Sequence, residues 1–324
     1  MNKQEKSATE ALNWAMQILN QSETNAAIVV KTPWSSVFKI STPQGPVYLK
    51  QTPALLALEA SIIQILHDQF HASVPTVIAH NAKLNCFLMK DAGRPLREIL
   101  KNKFNEKLVC KAIDQFSSLQ IAVADHVEVF LDIGVPDWRL DKLPDLYKEL
   151  LSQKELLIEE GLSEIEVNEL KKLLPTVSSL CEKLSGYSIK QTIVQPDFND
   201  NNILIADLSQ DITLIDLGEI SISHPFFPLL NCLHQVGKHH GLTDNDDAYL
   251  RIKEACLKNY MHVESKENLL AAVETTQILW FVYGALAQYR LMQACGKERL
   301  IPFQQKPLNN TLKGFIAACI TIDG

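Results

Sequence analysis

Residues 192–230 read TIVQPDFNDNNILIADLSQDITLIDLGEISISHPFFPLL and hold several side chains that could do chemistry together. Asp197, Asn199, Asp200, Asn201 and Asn202 crowd one loop with carboxylates and amides. Two short apolar runs follow, Ile203-Leu204-Ile205 and Ile212 to Leu217, split by the polar turn Asp207 to Asp211. Their lengths fit a β-hairpin. A hairpin returns the chain to where it started, so it brings Asn202 and Asp216 to the same end. Hard oxygen ligands gathered there suit Mg²⁺, which takes a few protein oxygens and completes its shell with substrate phosphates.

The order Asp197-x-x-x-x-Asn202, two strands, then Asp216-x-Gly218 resembles the catalytic core of the protein-kinase-like superfamily. Within it the nearer likeness is to the aminoglycoside phosphotransferase family, which includes choline kinase and related small-molecule kinases. That family usually carries His-Gly-Asp-x-x-x-x-Asn-Ile-Leu, then Ile-Asp-x, then Gly-Asp-Pro. Here Gln195-Pro196-Asp197 and Ser223-His224-Pro225 stand in the first and last places. The resemblance implies that Asp197 accepts or orients a hydroxyl proton and that Asn202 and Asp216 hold Mg²⁺. It also implies ATP or GTP as phosphoryl donor, a small-molecule hydroxyl acceptor, and Leu204 as the floor under the base. It is specific over 195–225, moderate over 46–60, and architectural elsewhere.

These groups need elements to position them. Three strand-like runs, Ala27 to Lys31, Val37 to Ser41 and Pro46 to Lys50, are followed by helical text from Pro53 to about Phe70. The resemblance implies that Lys50 clamps the α/β-phosphates and that Glu59 holds Lys50. Glu59 lies among Leu55, Leu56, Ile62 and Ile63, so it faces the core at least in part and needs a partner. Tyr48 shares the strand face of Lys50, where it narrows an adenine pocket. The turn Thr32-Pro33-Trp34-Ser35-Ser36 is the expected phosphate-covering loop. It contains no glycine, so the Ser35 and Ser36 hydroxyls are its candidate donors. Two more runs, Thr76 to Ala79 and Cys86 to Lys90, complete five strands, and Lys90-Asp91-Ala92-Gly93-Arg94-Pro95 reads as a hinge beside the base, with Asp91 within it.

Beyond Pro95 the text is helical apart from the catalytic segment. The fold class expected is therefore α+β: a two-lobed protein-kinase-like fold with a small five-stranded antiparallel lobe, 1–91, and a larger, mainly helical lobe, 92–324. Ser7-Ala-Thr-Glu10 and Ser163-Glu-Ile-Glu166 read as capping boxes that open helices. The tandem His239-His240 reads as a solvated helix end, and Trp138 as a packed anchor.

Composition removes other classes. The net charge is −7, and no Lys/Arg cluster stands out, which argues against a nucleic-acid partner. The 7 cysteines are scattered without a Cys-x-x-Cys pair and read as reduced residues. The N-terminal text has no apolar signal core, and the run Ile278 to Ala287 is too short to span a bilayer. A cytoplasmic chain without a membrane partner is expected; the oligomeric state stays open.

The short segment from Asp216 to His224 leaves no room for the activation segment on which a protein kinase rests its peptide, so a small acceptor is favoured. Acidic residues after 226 (Asp244, Asp246, Asp247, Glu254, Glu264, Glu267, Glu274) and the aromatic group Trp280, Phe281 and Tyr283 are the candidate acceptor walls. They suit a cationic amino-alcohol or amino-sugar. Two other readings remain beside phosphotransfer: a catalytically weak, pseudokinase-like nucleotide-binding regulator, and nucleotidyl transfer on the same fold.

Overall fold

The computed structural model describes residues 3–21, 25–206 and 209–323. Five antiparallel strands form the first sheet: β1 (Ala26–Lys31), β2 (Ser36–Thr42), β3 (Gly45–Gln51), β4 (Val77–Asn81) and β5 (Cys86–Lys90), in the order β1-β2-β3-β5-β4. Side chains alternate across such a sheet. Phe38, Ile40, Val47, Leu49 and Leu88 therefore share one face, which the helix Lys3–Ile18 covers with Ala11, Ala15 and Met16. Tyr48 and Lys50 lie on the other face. The helix starts before Ser7, so the expected capping box is not at its start; Ser7 Oγ instead accepts from Gln51 Nε2 at 2.9 Å and ties helix to sheet.

After β3 the chain makes a short 3₁₀ turn, Ala54–Leu56, and the α-helix begins only at Glu59, running to Phe70. Ala60, Ile62, Ile63 and Leu66 recur at helical spacing and are buried, and Glu59 lies on the same stripe. The position of a charged residue on that stripe is what aims it inward.

The link to the helical part is held down by pairing. β6 (Arg94–Pro95) pairs with β8 (Ile203–Ile205), and β8 pairs with β9 (Ile212–Leu214). The predicted hairpin is thus present and gains a third strand from the link itself. Its second strand ends at Leu214, with a 3₁₀ turn at Leu217–Glu219, and residues 207 and 208 of the predicted turn lie outside the described residues. β7 (Thr192–Val194) and β10 (Ser221–Ser223) pair on either side of the hairpin and bring its flanks together.

The rest is helical, giving the α+β fold expected. Ser163 and Glu166 form the capping box foreseen at the helix Glu164–Lys172. The helix Lys266–Cys295 contains the apolar run Ile278 to Ala287. By length and composition alone it could cross a membrane, but most of its apolar window is buried within the protein, where it packs against the helices Leu174–Ser185, Phe226–His240 and Pro307–Asp323. It is the central core helix. Trp138 is buried edge-on against Tyr283, ring centroids 5.5 Å apart, as a packed anchor.

One glycine fixes where the link meets the hairpin. Gly93 has φ +112°, and a Cβ there would lie 2.1 Å from the Ile205 carbonyl oxygen. Gly93→Ala combines left-handed strain with a backbone clash, and a loss of about 3 kcal/mol in unfolding free energy is expected. Denaturant titration of the two proteins side by side measures it, with an unchanged midpoint as the contrary result.

Candidate active site

Lys50 is the centre of the site. Its strand places it on the face away from the helix Lys3–Ile18, and it is almost fully buried. Its Nζ lies 2.9 and 2.6 Å from the two Glu59 carboxylate oxygens and 2.6 Å from Asp216 Oδ1. Burial alone would lower the ammonium pKa, but the Asp216 and Glu59 carboxylates more than reverse this, so Lys50 stays charged. Burial raises the Glu59 pKa, opposed by Lys50 and by the Leu217 N–H, which donates to Oε1 at 3.1 Å. Gly218 completes the fit: a Cβ there would lie 2.9 Å from the Leu56 carbonyl oxygen, so only glycine lets this turn close over Glu59.

Asp216 itself sits in the left-handed region, with φ 63°. Gln195 supports it by donating from Nε2 to the carbonyls of Ile215 and Asp216 at 2.9 and 2.8 Å. This is how an amide serves where the resembling family has histidine.

The loop that carries Asp197 is pinned from within. Phe198 is fully buried and stacks on Phe116 with centroids 4.1 Å apart, which contributes about 1 kcal/mol beyond area burial. Asn199 Nδ2 donates to the Asp197 backbone oxygen and to Oδ1, both at 2.8 Å. Asn202 Nδ2 donates to the same backbone oxygen at 2.8 Å and to Oδ2 at 3.0 Å. Burial and the Asp216 charge push the Asp197 carboxyl up to about 6, against the Asn202 and Asn199 hydrogen bonds and the Arg97 charge. Its side chain is exposed to solvent at the cleft, so water screens part of this push and the upward direction is what bears on chemistry.

With its amide hydrogens committed to Asp197, Asn202 has Oδ1 left to act as a ligand atom. One amide oxygen and one Asp216 carboxylate make a donor set that fits Mg²⁺. Among the described residues no group of three His, Cys, Asp or Glu side chains could hold a metal by itself. Substrate phosphates would therefore have to complete the shell.

The structure thus sets two clusters side by side, Lys50 with Glu59 and Asp216, and Asp197 with Asn199 and Asn202, linked by the Ile215 N–H donating to the Asn202 carbonyl at 3.1 Å and by the charges of Asp197 and Asp216. Tyr48 shares the sheet face of Lys50 and carries the Lys39 ammonium 5.8 Å above its ring. Leu204 lies in β8 between Pro95 and Thr213, partly buried. Asp91 Oδ1 accepts from the Gly93 N–H at 3.0 Å and shapes the link.

Ser35 and Ser36 join neither cluster. Thr32 N–H bonds the Ser35 carbonyl at 2.8 Å, and Ser35 N–H bonds Thr32 Oγ1 at 3.0 Å, so the turn uses those donors on itself. Ser36 pairs with Gln51, on the face opposite Lys50. The tip is docked on the helical part, with Trp34 edge-on to Phe303 at 5.5 Å. The aromatic acceptor wall is also corrected: Tyr283 is buried and stacked on Phe227 at 4.4 Å, and Trp280 and Phe281 pack among helices. Several of the acids have structural duties, Asp246 accepting from Thr243 and Glu264 from the Ser188 N–H.

Three residues at the site escaped the sequence reading. Glu219, partly exposed, is pushed up to about 8 by desolvation and by the Asp216 and Asp197 charges. Its place three residues after Asp216 was the available signal. Arg97 pairs with Asp200 and Asn199, and His240 is no solvated end but a buried partner of Asp200 at 2.7 Å. Nothing in the spacing of either residue announces those contacts.

Fold and site together define a protein-kinase-like fold of the kind found in small-molecule phosphotransferases. The chain is similar to an ethanolamine kinase of Plasmodium vivax, with TM-score 0.66, 14% identity, and 95% of this chain and 86% of that chain covered. It is similar to APH(2″)-IIa in a ternary complex with streptomycin and ATP, with TM-score 0.55, 17% identity, and 94% and 97% covered. It is also similar to a second APH(2″) protein in complex with GDP and kanamycin, with TM-score 0.56, 14% identity, and 96% and 99% covered. At such identities the likeness is one of fold. No protein-family model and no curated protein sequence matches the chain.

His224 stands where the resembling family has an aspartate. It is fully buried, its Nδ1 accepts from the Phe226 N–H at 3.3 Å, and burial pulls its pKa down to about 3. The unfolded chain binds a proton near pH 6.5 that the folded chain refuses until about 3. Stability from the neutral imidazole is therefore full above 6.5 and lost as pH falls, by about 2 kcal/mol between pH 7 and pH 5. Denaturation at the two pH values should show that drop reduced in His224→Gln; an equal drop in both proteins would exclude His224 as its source.

Proposed function

We propose that the chain is a Mg²⁺- and nucleotide-dependent phosphotransferase acting on a hydroxyl of a small molecule. The observation that carries this reading is the meeting of Lys50, Glu59 and Asp216, with Asp197 and Asn202 bonded to each other and Asp197 close enough to feel the Asp216 charge. Phosphoryl transfer asks a protein for charge neutralisation, in-line positioning and an acceptor for one proton. Lys50, aimed by Glu59, supplies positive charge for the α/β-phosphates. Asn202 Oδ1 and the Asp216 carboxylate would hold the metal, which neutralises phosphate charge when bound. Asp197 takes the proton as the acceptor oxygen bonds to phosphorus and the bond to the leaving nucleoside diphosphate breaks. Leu204 and Tyr48 would flank the base, with the link through Asp91 alongside.

A cationic acceptor, an amino-alcohol or amino-sugar, fits the local charge best. Asp197, Asp216 and Glu219 interact electrostatically, offset in part by the Arg290 and Lys50 charges, and Arg290 donates from Nη1 to the Glu219 and Ile220 carbonyls at 2.9 and 3.0 Å. Proteins of the same fold are an ethanolamine kinase and enzymes complexed with streptomycin or kanamycin, which supports the same class here. One observation favours a weaker reading, a nucleotide-binding regulator: the glycine-free turn uses donors on itself rather than on phosphate.

The test is Mg²⁺ with ATP or GTP and a panel of ethanolamine, choline, kanamycin and neutral sugars, products identified by mass. A phosphorylated amine whose binding weakens with added salt is the expected result. Tight nucleotide binding without product would support the regulator, and a nucleotidylated product the alternative transfer. Asp216→Asn should weaken Mg·nucleotide binding about tenfold or more, whereas Asp197→Asn leaves it nearly intact and lowers turnover about 10²-fold. Wild-type turnover in Asp197→Asn would overturn the role given to that residue.

A further inference from the structure

Behind Asp197 runs a line of polar side chains bonded to one another, Asn199, Arg97, Asp200 and His240. Arg97 lies in the first turn of the helix Leu96–Asn102, directly after the link stitched to β8. Its backbone N–H donates to the Asp200 carbonyl at 3.0 Å. Its guanidinium Nε and Nη2 donate to Asp200 Oδ1 at 2.9 and 2.7 Å, and Nη2 also reaches Asn199 Oδ1 at 2.9 Å. The Asp200 carboxylate is wholly buried, and its other oxygen meets His240 Nε2 at 2.7 Å. His240, at the end of the helix Phe226–His240, keeps only 5% side-chain exposure.

This geometry reaches beyond a satisfied buried acid. The guanidinium fork is shared between a charge partner, Asp200, and a neutral amide oxygen, Asn199 Oδ1. Together with the Asn201 N–H, which donates to the same oxygen at 2.8 Å, it decides which way the Asn199 amide faces. The amide nitrogen is thereby turned to Asp197 Oδ1 and to the Asp197 carbonyl. A flipped amide would set its oxygen against the carboxylate and repel it. We propose that Arg97 is a positioning residue for Asp197: braced by Asp200 and His240, it orients the Asn199 amide, which in turn aims the carboxylate at the acceptor hydroxyl. This rests on the phosphotransferase reading. It also makes the link and the catalytic loop one mechanical unit, since the backbone of Arg97 continues from β6.

Arg97→Ala and Arg97→Lys are the variants, assayed with Mg·ATP and, as acceptors, water, ethanolamine and kanamycin. Arg97→Ala should lower kcat about 10- to 100-fold with Mg·ATP affinity within about twofold of wild type. Lysine keeps the charge but cannot span both partners, so Arg97→Lys should stay at least about fivefold below wild type. Asn199→Ala should add nothing further in the Arg97→Ala background, because the two act in series. Nucleotide affinity falling in step with kcat, or multiplied losses in the double variant, would overturn the proposal. Hydrogen exchange gives a readout independent of transfer: the Asn201 and Asn202 amides should exchange about tenfold faster in Arg97→Ala, with β3 unchanged. If that variant does not fold, Arg97→Lys and Asn199→Ala report the same exchange. Unchanged exchange sinks the positioning role, whereas a wild-type chain with no turnover and faster loop exchange in the variants would sink only the phosphotransferase reading.

Discussion

A buried ammonium held between two carboxylates is the constraint around which this molecule is arranged. Lys50 comes from a strand, Glu59 from the start of a helix, and Asp216 from the turn after a distant hairpin. Removing the ammonium would leave the buried Glu59 carboxylate stranded out of water, at a cost of about 3–5 kcal/mol for a buried pair. The three elements therefore cannot drift independently. The β3 register fixes the height of Lys50, the apolar stripe of the helix aims Glu59, and the absence of a Cβ at Gly218 lets the last turn approach. Since ion pairs of this kind rarely outdo hydrophobic packing in stability, their presence here is better explained by chemistry than by folding.

The carboxylate that meets Lys50 occupies a backbone conformation that favours glycine. Asp216 at φ 63° carries a local penalty of about 1 kcal/mol, which the surrounding structure must outweigh. Gln195 bonds the two carbonyls before the turn, and Glu59 receives the N–H after it. The strained residue is held on both sides. Departure from the usual histidine at 195 thus keeps the supporting chemistry, because what the turn requires is a pair of donors.

Much of this was legible in the sequence because it depends on local pattern. Strand alternation located Lys50 and Tyr48 on one face, helical periodicity showed Glu59 facing inward, and the hairpin text brought Asn202 and Asp216 together. The misses share a different cause. Ser7 and Glu10 satisfy a capping pattern but lie inside a helix that began earlier. Ser36 was placed by loop analogy, whereas its register with Gln51 sends it to the wrong face. Tyr283, Arg97 and His240 are defined by partners at least 40 positions away in the chain, and no spacing rule encodes such a meeting.

The same contrast separates the two ends of the cleft. The side of Lys50 and Glu59 is built from sheet and helix with short-range rules. On the other side, Tyr283 and its aromatic neighbours pack within the late helices, while Glu219 and Asp197 share the space near Asp216, close enough to feel its charge. Both are pushed towards the neutral form by burial and by the Asp216 charge. A cation entering that space would be drawn to ionised carboxylates and would in turn stabilise the ionised, proton-accepting form of Asp197. On the proposed reading, acceptor binding and base activation are two consequences of one electrostatic arrangement, and a neutral alcohol, which supplies no charge, would secure neither.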